Sequence, residues 1–145
     1  MKGENYIKFE FPSRSSNEFF ARSAAAAFAA QLDPTLEELG DLKTAVSEAV
    51  TNAVVHAYPN SLGRILMKIR LLEENTLEVT VKDWGCGIPD VAKAMEPMYT
   101  TGGEERSGMG FSIMACFMDK LRVRSTPDRG TTVVMRKRFS PRKTL

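Results

Sequence analysis

The chain has 145 residues, a length typical of one domain with its own hydrophobic core. Hydrophobic residues make up 43% of it and charged residues 26%, close to the globular average, which argues against a disordered, fibrous or membrane-embedded chain. The formal net charge of +2 is too small to indicate a nucleic-acid partner, and two cysteines with one histidine give no metal-binding pattern.

The beginning of the chain predicts a strand followed by a helix. Apolar residues alternate over residues 6–11, which is the period of a half-buried strand. Ser15 and Glu18 have the spacing of a capping box. The alanine-rich run of residues 19–31 then favours a first helix.

A second helix and a hairpin follow. Asp33 and Pro34 predict the N-cap and the first residue of a helix whose apolar residues recur at helical spacing to about His56. Residues 64–72 and 76–82 are rich in β-formers and are separated by a short polar turn. They predict an antiparallel hairpin.

The rest of the chain alternates between glycine-rich segments and regular elements. Residues 83–90 form a glycine loop, and residues 91–106 have weak periodicity, so we expect a lid there. Residues 111–118 carry the apolar stripe of a third helix. Residues 121–125 and 131–139 predict two last strands.

The predicted order is β, α, α, β, β, α, β, β. Because the last four strands fall into two hairpin-like pairs, we expect an α/β (α+β) two-layer sandwich, with helices on one face of a mixed, mainly antiparallel sheet. The sequence has no internal repeat or linker, so we expect a single domain over residues 1–145. No apolar run has the length of a signal peptide or a membrane span, which favours the cytoplasm.

Three polar residues of the second helix, Glu48, Asn52 and His56, are spaced by four and therefore share one face. Their neighbours are mostly short polar residues instead of the long charged ones that are usual on a solvated face. The pattern fits a binding surface or the ordinary outer face of an amphipathic helix, and alone it does not decide between them.

The glycine loop begins with Asp83 and carries Gly85 and Gly87 two residues apart. Such glycines allow a tight turn close to a ligand, and the carboxylate can accept a hydrogen bond from an amino group. The loop lacks the spacing of a P-loop or of a dinucleotide fold, so by itself it also fits a plain turn.

A second glycine segment, residues 106–110, is predicted at the start of the third helix. Free N–H groups at a helix N-terminus bind anions, the glycines allow close approach, and Arg106 adds a charge that can reach a terminal phosphate. Either glycine segment alone fits a structural role. Both of them together with the polar helix face favour a binding site.

In this order the segments resemble the GHKL ATPases, a family that includes gyrase and the histidine kinases. Residues 48–52 match its N box, residues 83–87 and 106–110 match its two glycine boxes, and residues 130–132 match its late threonine motif. The resemblance implies that family's ATP-binding fold.

Over its whole length the chain also resembles the anti-sigma F factors of spore-forming bacteria. The similarity is carried by SSNEFFAR at 15–22, QLDP at 31–34, VSEAVTNA at 46–53 and RSGMGF at 106–111. It implies a serine kinase that holds a sigma factor of the F type inactive and phosphorylates its own antagonist, an anti-anti-sigma factor. It also implies a homodimer.

The resemblance implies ATP and Mg²⁺ as ligands and gives roles to single residues. Asn52 is expected to coordinate the magnesium ion, Asp83 to bind the adenine amino group, and Glu48 to act as general base toward the substrate serine. Arg106 is expected to contact the γ-phosphate, and Arg22 the partner proteins. The other expected nucleotide-binding residues are Gly85, Gly87, Ser107, Gly108, Met109, Gly110, and Thr131 or Thr132 near the base.

Two positions depart from the family's pattern. Relatives usually carry glycine where this chain has Ala57, and lysine where it has Gly102. The missing lysine removes a charge near the triphosphate, so we expect Gly102→Lys to tighten ATP binding in a titration.

Other functions stay open on the sequence. A general-stress anti-sigma kinase of the sigma B type would share every motif and differ in its partners. A non-catalytic module that uses ATP only to set its shape would have no use for Glu48. A nucleic-acid-binding domain built on the basic C-terminal end is disfavoured for lack of interleaved aromatic residues, and we predict no direct nucleic-acid or membrane contact.

Overall fold

The protein is described by a computed structural model over residues 5–95 and 105–140, without the side chains of residues 105–109. Its strands are β1 (Tyr6–Pro12), β2 (Arg64–Leu72), β3 (Thr76–Asp83), β4 (Lys120–Thr126) and β5 (Gly130–Arg138). They form one sheet in the order β1-β2-β3-β5-β4, and every pairing among the described strands is antiparallel. The predicted α+β sandwich is confirmed, with an antiparallel sheet in place of a mixed one.

The helices are α1 (Asn17–Ala29), α2 (Leu36–Asn52), α3 (Val91–Ala94) and α4 (Glu105–Phe117). A 3₁₀ turn extends α1 over Ala30–Leu32, and a π-helical turn continues α2 over Ala53–Ala57. None of the helices in the described ranges is long and apolar enough to cross a bilayer.

Two predicted helix caps are wrong. α1 begins without a side-chain cap, so Ser15 and Glu18 form no capping box there. Asp33 has a φ of 55° and ends the 3₁₀ turn. α2 is instead capped by Thr35, whose hydroxyl accepts from the N–H of Glu38 while the Glu38 carboxylate accepts from the N–H of Thr35. This reciprocal pair satisfies two N–H groups that have no partner within the helix.

The third predicted helix begins earlier than expected. α4 starts at Glu105, so Gly108 and Gly110 lie inside the helix and do not precede it. Glycine costs a helix interior about 1 kcal/mol relative to alanine, so its presence there points to a close contact that a side chain would prevent.

The core lies between the helices and one face of the sheet. On β2 and β3 alternate side chains are buried, including Ile65, Met67 and Val79. Leu42 and Val46 of α2 are buried in the same cluster. The functional groups described below lie at one end of this interface, where α2 and β3 end.

Candidate functional site

A cavity of about 520 Å³ lies between the C-terminal part of α2, the inner face of the sheet and α4. Asn52, Asp83, Phe111 and Thr131 are among its lining residues. Its volume is in the range of small-molecule sites. A larger and more open groove of about 760 Å³ lies at another edge of the sheet, where both acidic and basic surface residues line it. The cavity is the stronger candidate because buried polar groups converge on it.

The structure brings Glu48 and Gly110 together with Asn52, which lines this cavity. Glu48 and Asn52 are half-buried and one helical turn apart on α2. A Cβ added at Gly110 would lie 3.2 Å from both terminal atoms of the Asn52 amide and 3.5 Å from Oε1 of Glu48. The glycine therefore lets the backbone of α4 approach the carboxylate and the amide.

Asp83 ends β3 and is buried, with 6% of its surface exposed. Its Oδ1 accepts from the N–H of Gly85 at 3.0 Å and from the N–H of Thr131 at 3.2 Å. Burial raises the pKa of the Asp83 carboxyl above its ordinary value, and the two backbone hydrogen bonds oppose that rise. Because both bonds end on Oδ1, Oδ2 is the oxygen that can accept a hydrogen bond from a ligand in the cavity.

The glycine loop after Asp83 is held against segments from distant parts of the chain. A Cβ at Gly85 would lie 2.2 Å from the carbonyl oxygen of Ala57, and Gly87 has a φ of 78°. The N–H of Cys86 donates to the carbonyl of Ala57, and the carbonyl of Cys86 accepts from the N–H of Asp128. The two glycines are therefore required by close approach to other segments of the chain and by backbone conformation.

Tyr58 supports the glycine loop from outside the cavity, a role that the sequence did not indicate. Its hydroxyl accepts from the N–H of Trp84 at 2.7 Å and donates to the carbonyl of Arg64 at 2.7 Å. It follows directly after the π-helical turn, which carries His56 at the cavity wall and ends at Ala57. Nothing in the local sequence signals the turn, because π-helical geometry has no composition of its own.

The threonine pair is split by the sheet. Thr131 is buried, lines the cavity, and shares a hydrogen bond of 2.8 Å with Ser125 between their hydroxyl oxygens. Thr132 pairs with Lys82 and Arg124 in neighbouring strands and points to the other face. The expectation that Thr132 belongs to the site is therefore incorrect, because successive strand residues face opposite ways.

Arg22 lies on α1, away from the cavity. It forms an ion pair with Glu18 at 3.4 Å, and its guanidinium lies 5.2 Å from the ring centroid of Phe19. Phe19 and Phe20 are 64% and 57% exposed, so the arginine stands beside apolar surface. Such a patch is typical of a contact surface for another protein.

Several expected residues lie outside what the structure describes. Arg106, Ser107, Gly108 and Met109 are in α4, but their side chains are outside the described residues. Gly102 and most of the segment expected to form a lid lie outside them as well.

The oxygen atoms at the cavity suit a magnesium ion only in combination with a phosphate ligand. No group of three or more histidine, cysteine, aspartate or glutamate side chains in the described part of the chain has metal-binding geometry. Mg²⁺ prefers oxygen ligands and often takes one or two from the protein and the others from water and substrate phosphates. Asn52 Oδ1 fits that smaller set of protein ligands.

Comparison with known proteins agrees with these features. Residues 11–137 match the family of histidine kinase-like ATPase domains. The anti-sigma F factor of Caldanaerobacter subterraneus subsp. tengcongensis is 54% identical over 138 residues, which cover 94% of this chain and 96% of that protein. The anti-sigma F factor of Geobacillus stearothermophilus is 49% identical over 142 residues, 97% of both chains.

Solved structures share the fold at lower identity. The structure of the RsbU and RsbW domains of Rv1364c from Mycobacterium tuberculosis superposes with a TM-score of 0.70 at 18% identity, covering 94% of this chain and 32% of that longer one. Full-length ShkA in complex with AMPPNP gives 0.61 at 19% identity, covering 90% of this chain and 31% of that one. At these identities the likeness shows a common fold.

Proposed function

The chain belongs to the anti-sigma F factors within the family of histidine kinase-like ATPase domains, and from that premise we propose that it is a magnesium-dependent serine kinase. In this proposal it binds and inhibits a sporulation sigma factor of the F type and phosphorylates the anti-anti-sigma antagonist on serine. It acts in the cytoplasm as a homodimer.

One observation carries the proposal: Asn52, which adjoins Glu48 and the backbone at Gly110, lines the same cavity as the buried carboxylate of Asp83. A nucleotide whose base lies at Asp83 and whose phosphates point toward Asn52 would contact both ends of the cavity. Asp83 Oδ2 accepts from the adenine amino group, while Oδ1 stays bonded to the loop and to β5.

At the phosphate end the protein's part is to position and to accept a proton. Asn52 Oδ1 would hold the magnesium ion, which when bound offsets the charge of the phosphates. Glu48 would accept the proton of the substrate serine hydroxyl as the serine oxygen bonds to the γ-phosphorus and the bond from that phosphorus to the bridging oxygen breaks, with ADP as the leaving group. Gly110 keeps α4 close to both side chains, and Arg106 on the same helix is assigned to the γ-phosphate.

Partner binding is assigned to another surface. Arg22 and the exposed rings of Phe19 and Phe20 lie on α1, outside the cavity. A sigma factor or an antagonist bound there leaves the nucleotide in place, as transfer to a bound protein serine requires.

The test is transfer of radiolabelled phosphate from ATP to a candidate anti-anti-sigma protein in the presence of Mg²⁺. Glu48→Gln should abolish transfer while ATP and sigma binding persist, because only the proton acceptor is lost. Asn52→Ala should abolish transfer and, unlike Glu48→Gln, also remove metal-dependent ATP binding. Glu37→Gln is the matched control for the first variant, since Glu37 is exposed in the first turn of the same helix.

Each outcome has one meaning. Label on the partner's serine that disappears in both variants and persists in Glu37→Gln supports the kinase. Tight ATP and sigma binding without transfer to any antagonist would leave a nucleotide-gated binding module. Loss of ATP and sigma binding together in Glu48→Gln would show that Glu48 is structural.

A further inference from the structure

The face of the sheet opposite the helices, here called the open face, concentrates positive charge. On each strand the side chains that alternate with the buried ones point to it. From β1, β2 and β3 its basic residues are Lys8, Arg64, Lys68, Arg70 and Lys82. From β4 and β5 they are Lys120, Arg122, Arg124, Arg136 and Arg138.

Acidic residues on the open face neutralise little of this charge. They are Glu10, 3.8 Å from Arg64, and Glu78, which lies between Arg70 at 2.7 Å and Arg136 at 2.8 Å. The strand residues that point to this face are ten basic and two acidic, a formal charge of +8, while Glu73, Glu74 and Asp119 stand beside Lys120, Arg136 and Arg138 in the groove at its edge. The whole chain carries +2, so the remainder of it carries −6.

The most accessible cations form a row along β4. Lys120, Arg122 and Arg124 are all exposed, and alternate residues of a strand are about 6.8 Å apart. β4 is an edge strand, where basic side chains also deter pairing with another sheet. That role explains charge on β4, but it does not account for the basic residues on the three central strands.

The open face has the chemistry of a phosphate-binding surface more than that of a protein interface. The centre of a protein interface is depleted in charge and built on apolar or aromatic anchors, whereas protein–nucleic acid interfaces are polar and strongly positive. The aromatic rings at this face are covered by cations: Arg64 lies 3.8 Å and Lys82 5.1 Å from the Trp84 ring centroid, and Lys68 lies 5.6 Å from that of Tyr6. The Trp84 ring, with a cation from each of two strands, is therefore not an open platform for stacked bases.

We propose that the open face docks the sugar-phosphate backbone of a nucleic acid, without reading its sequence. This goes beyond the kinase function and reverses the expectation drawn from the net charge alone. A second copy is a poor occupant, since two open faces would bring +8 against +8. The cavity lies on the opposite side of the sheet, so a docked nucleic acid does not obstruct it.

The test is fluorescence anisotropy with a labelled duplex of about 20 base pairs and random sequence, titrated at several salt concentrations. If about five phosphates are contacted, the affinity should fall roughly 500-fold between about 50 and 200 mM salt. A duplex of unrelated sequence should bind equally well, because backbone contacts carry no sequence information.

Two double variants with equal net charge locate the contact. Lys120→Ser/Arg122→Ser removes one lysine and one arginine from the open face, and Arg14→Ser/Lys43→Ser removes one of each from exposed positions elsewhere. The variant Lys120→Ser/Arg122→Ser should reduce the salt slope, which is the slope of log affinity against log salt concentration, by about two, and it should leave ATP binding unchanged. The variant Arg14→Ser/Lys43→Ser should bind the duplex like the wild type.

Three results would overturn the proposal. One is the absence of duplex binding at the lowest salt. Another is an equal loss of slope in both double variants, which would indicate diffuse attraction to the whole protein. The third is tighter binding of poly-L-glutamate than of the duplex at matched charge concentration and salt, which would assign the face to an acidic protein.

Discussion

A single methyl group at Gly110 tests the site most directly. The Cβ of Gly110→Ala would lie 3.2 Å from both terminal atoms of the Asn52 amide, inside the usual contact distance of about 3.5 Å. The amide must then retreat by a few tenths of an ångström. Displacements near 1 Å at a positioned group cost about 100-fold in rate, so we expect at least a tenfold loss in affinity for magnesium and ATP, about 1.4 kcal/mol.

The effect on stability should differ from the effect on binding. Alanine is better than glycine in a helix interior by about 1 kcal/mol, which would raise the melting temperature by roughly 3 °C if the contact relaxed fully. We therefore expect Gly110→Ala to bind ATP poorly although its melting temperature falls by at most about 1 °C.

Gly40 provides the matched control. It lies within α2, and a Cβ there meets no atom within 4 Å. Gly40→Ala should raise the melting temperature by about 3 °C and leave ATP binding unchanged. The assays are calorimetric titration with Mg-ATP and thermal unfolding without ligand. Wild-type affinity in Gly110→Ala would refute the view that this glycine protects the geometry of Asn52.

Four further predictions concern Asp83, Tyr58 and Arg22. Asp83→Asn keeps the acceptor of both backbone bonds but turns the other oxygen into a donor, so ATP binding should weaken at least about tenfold, measured by titration. Burial raises the pKa of Asp83, so the folded protein keeps this proton to a higher pH than the unfolded chain, whose value is about 3.9. The wild type therefore loses stability as the pH rises from the pKa of Asp83 in the unfolded chain through its pKa in the folded protein. Melting curves of Asp83→Asn should show less of this loss. Tyr58→Phe leaves the N–H of Trp84 and the carbonyl of Arg64 without their partner, and should lower the free energy of unfolding in urea by about 1–3 kcal/mol. Arg22→Ala should weaken sigma binding at least about tenfold in a pull-down titration and leave the ATP affinity unchanged.

Each of these has an outcome that contradicts its reasoning. An Asp83→Asn protein with wild-type ATP affinity would place the base elsewhere. Unchanged urea unfolding in Tyr58→Phe would mean that water replaces the phenol at no cost. If Arg14→Ala weakened sigma binding as much as Arg22→Ala, the effect would belong to charge in general and not to the patch on α1.

The sequence predicted the elements well because their signals are local. Alternating apolar residues defined β1, and the hairpin of β2 and β3 was bounded by a clear turn. The N-cap of α2 was misplaced because Asp33 and Pro34 carry the expected residue types, whereas the reciprocal bonds of Thr35 and Glu38 decide the outcome. Residue preferences indicate which residues can be N-caps, but the hydrogen bonds that form in the folded chain decide which residue caps the helix.

The site was predictable where a motif names a residue, and less so where its role depends on packing. Asp83 and Asn52 line the cavity as expected. Thr131 and Thr132 looked equivalent, and only the sheet shows which of them faces inward. The close contact of Gly110 with α2 is a tertiary feature, because the sequence gives the glycine and not the helix that it approaches.

The hydrogen bond between Thr131 and Asp83 has a consequence for synthesis of the chain. β5 is inserted between β3 and β4 although it is the last strand in sequence, and it supplies the N–H that fixes the Asp83 carboxylate. The hydrogen-bonded form of Asp83 at the cavity therefore cannot exist on a ribosome-bound chain until β5 has emerged and paired with β3. Capture of ATP would then mark the end of folding, and the nucleotide would selectively stabilise chains that had reached it.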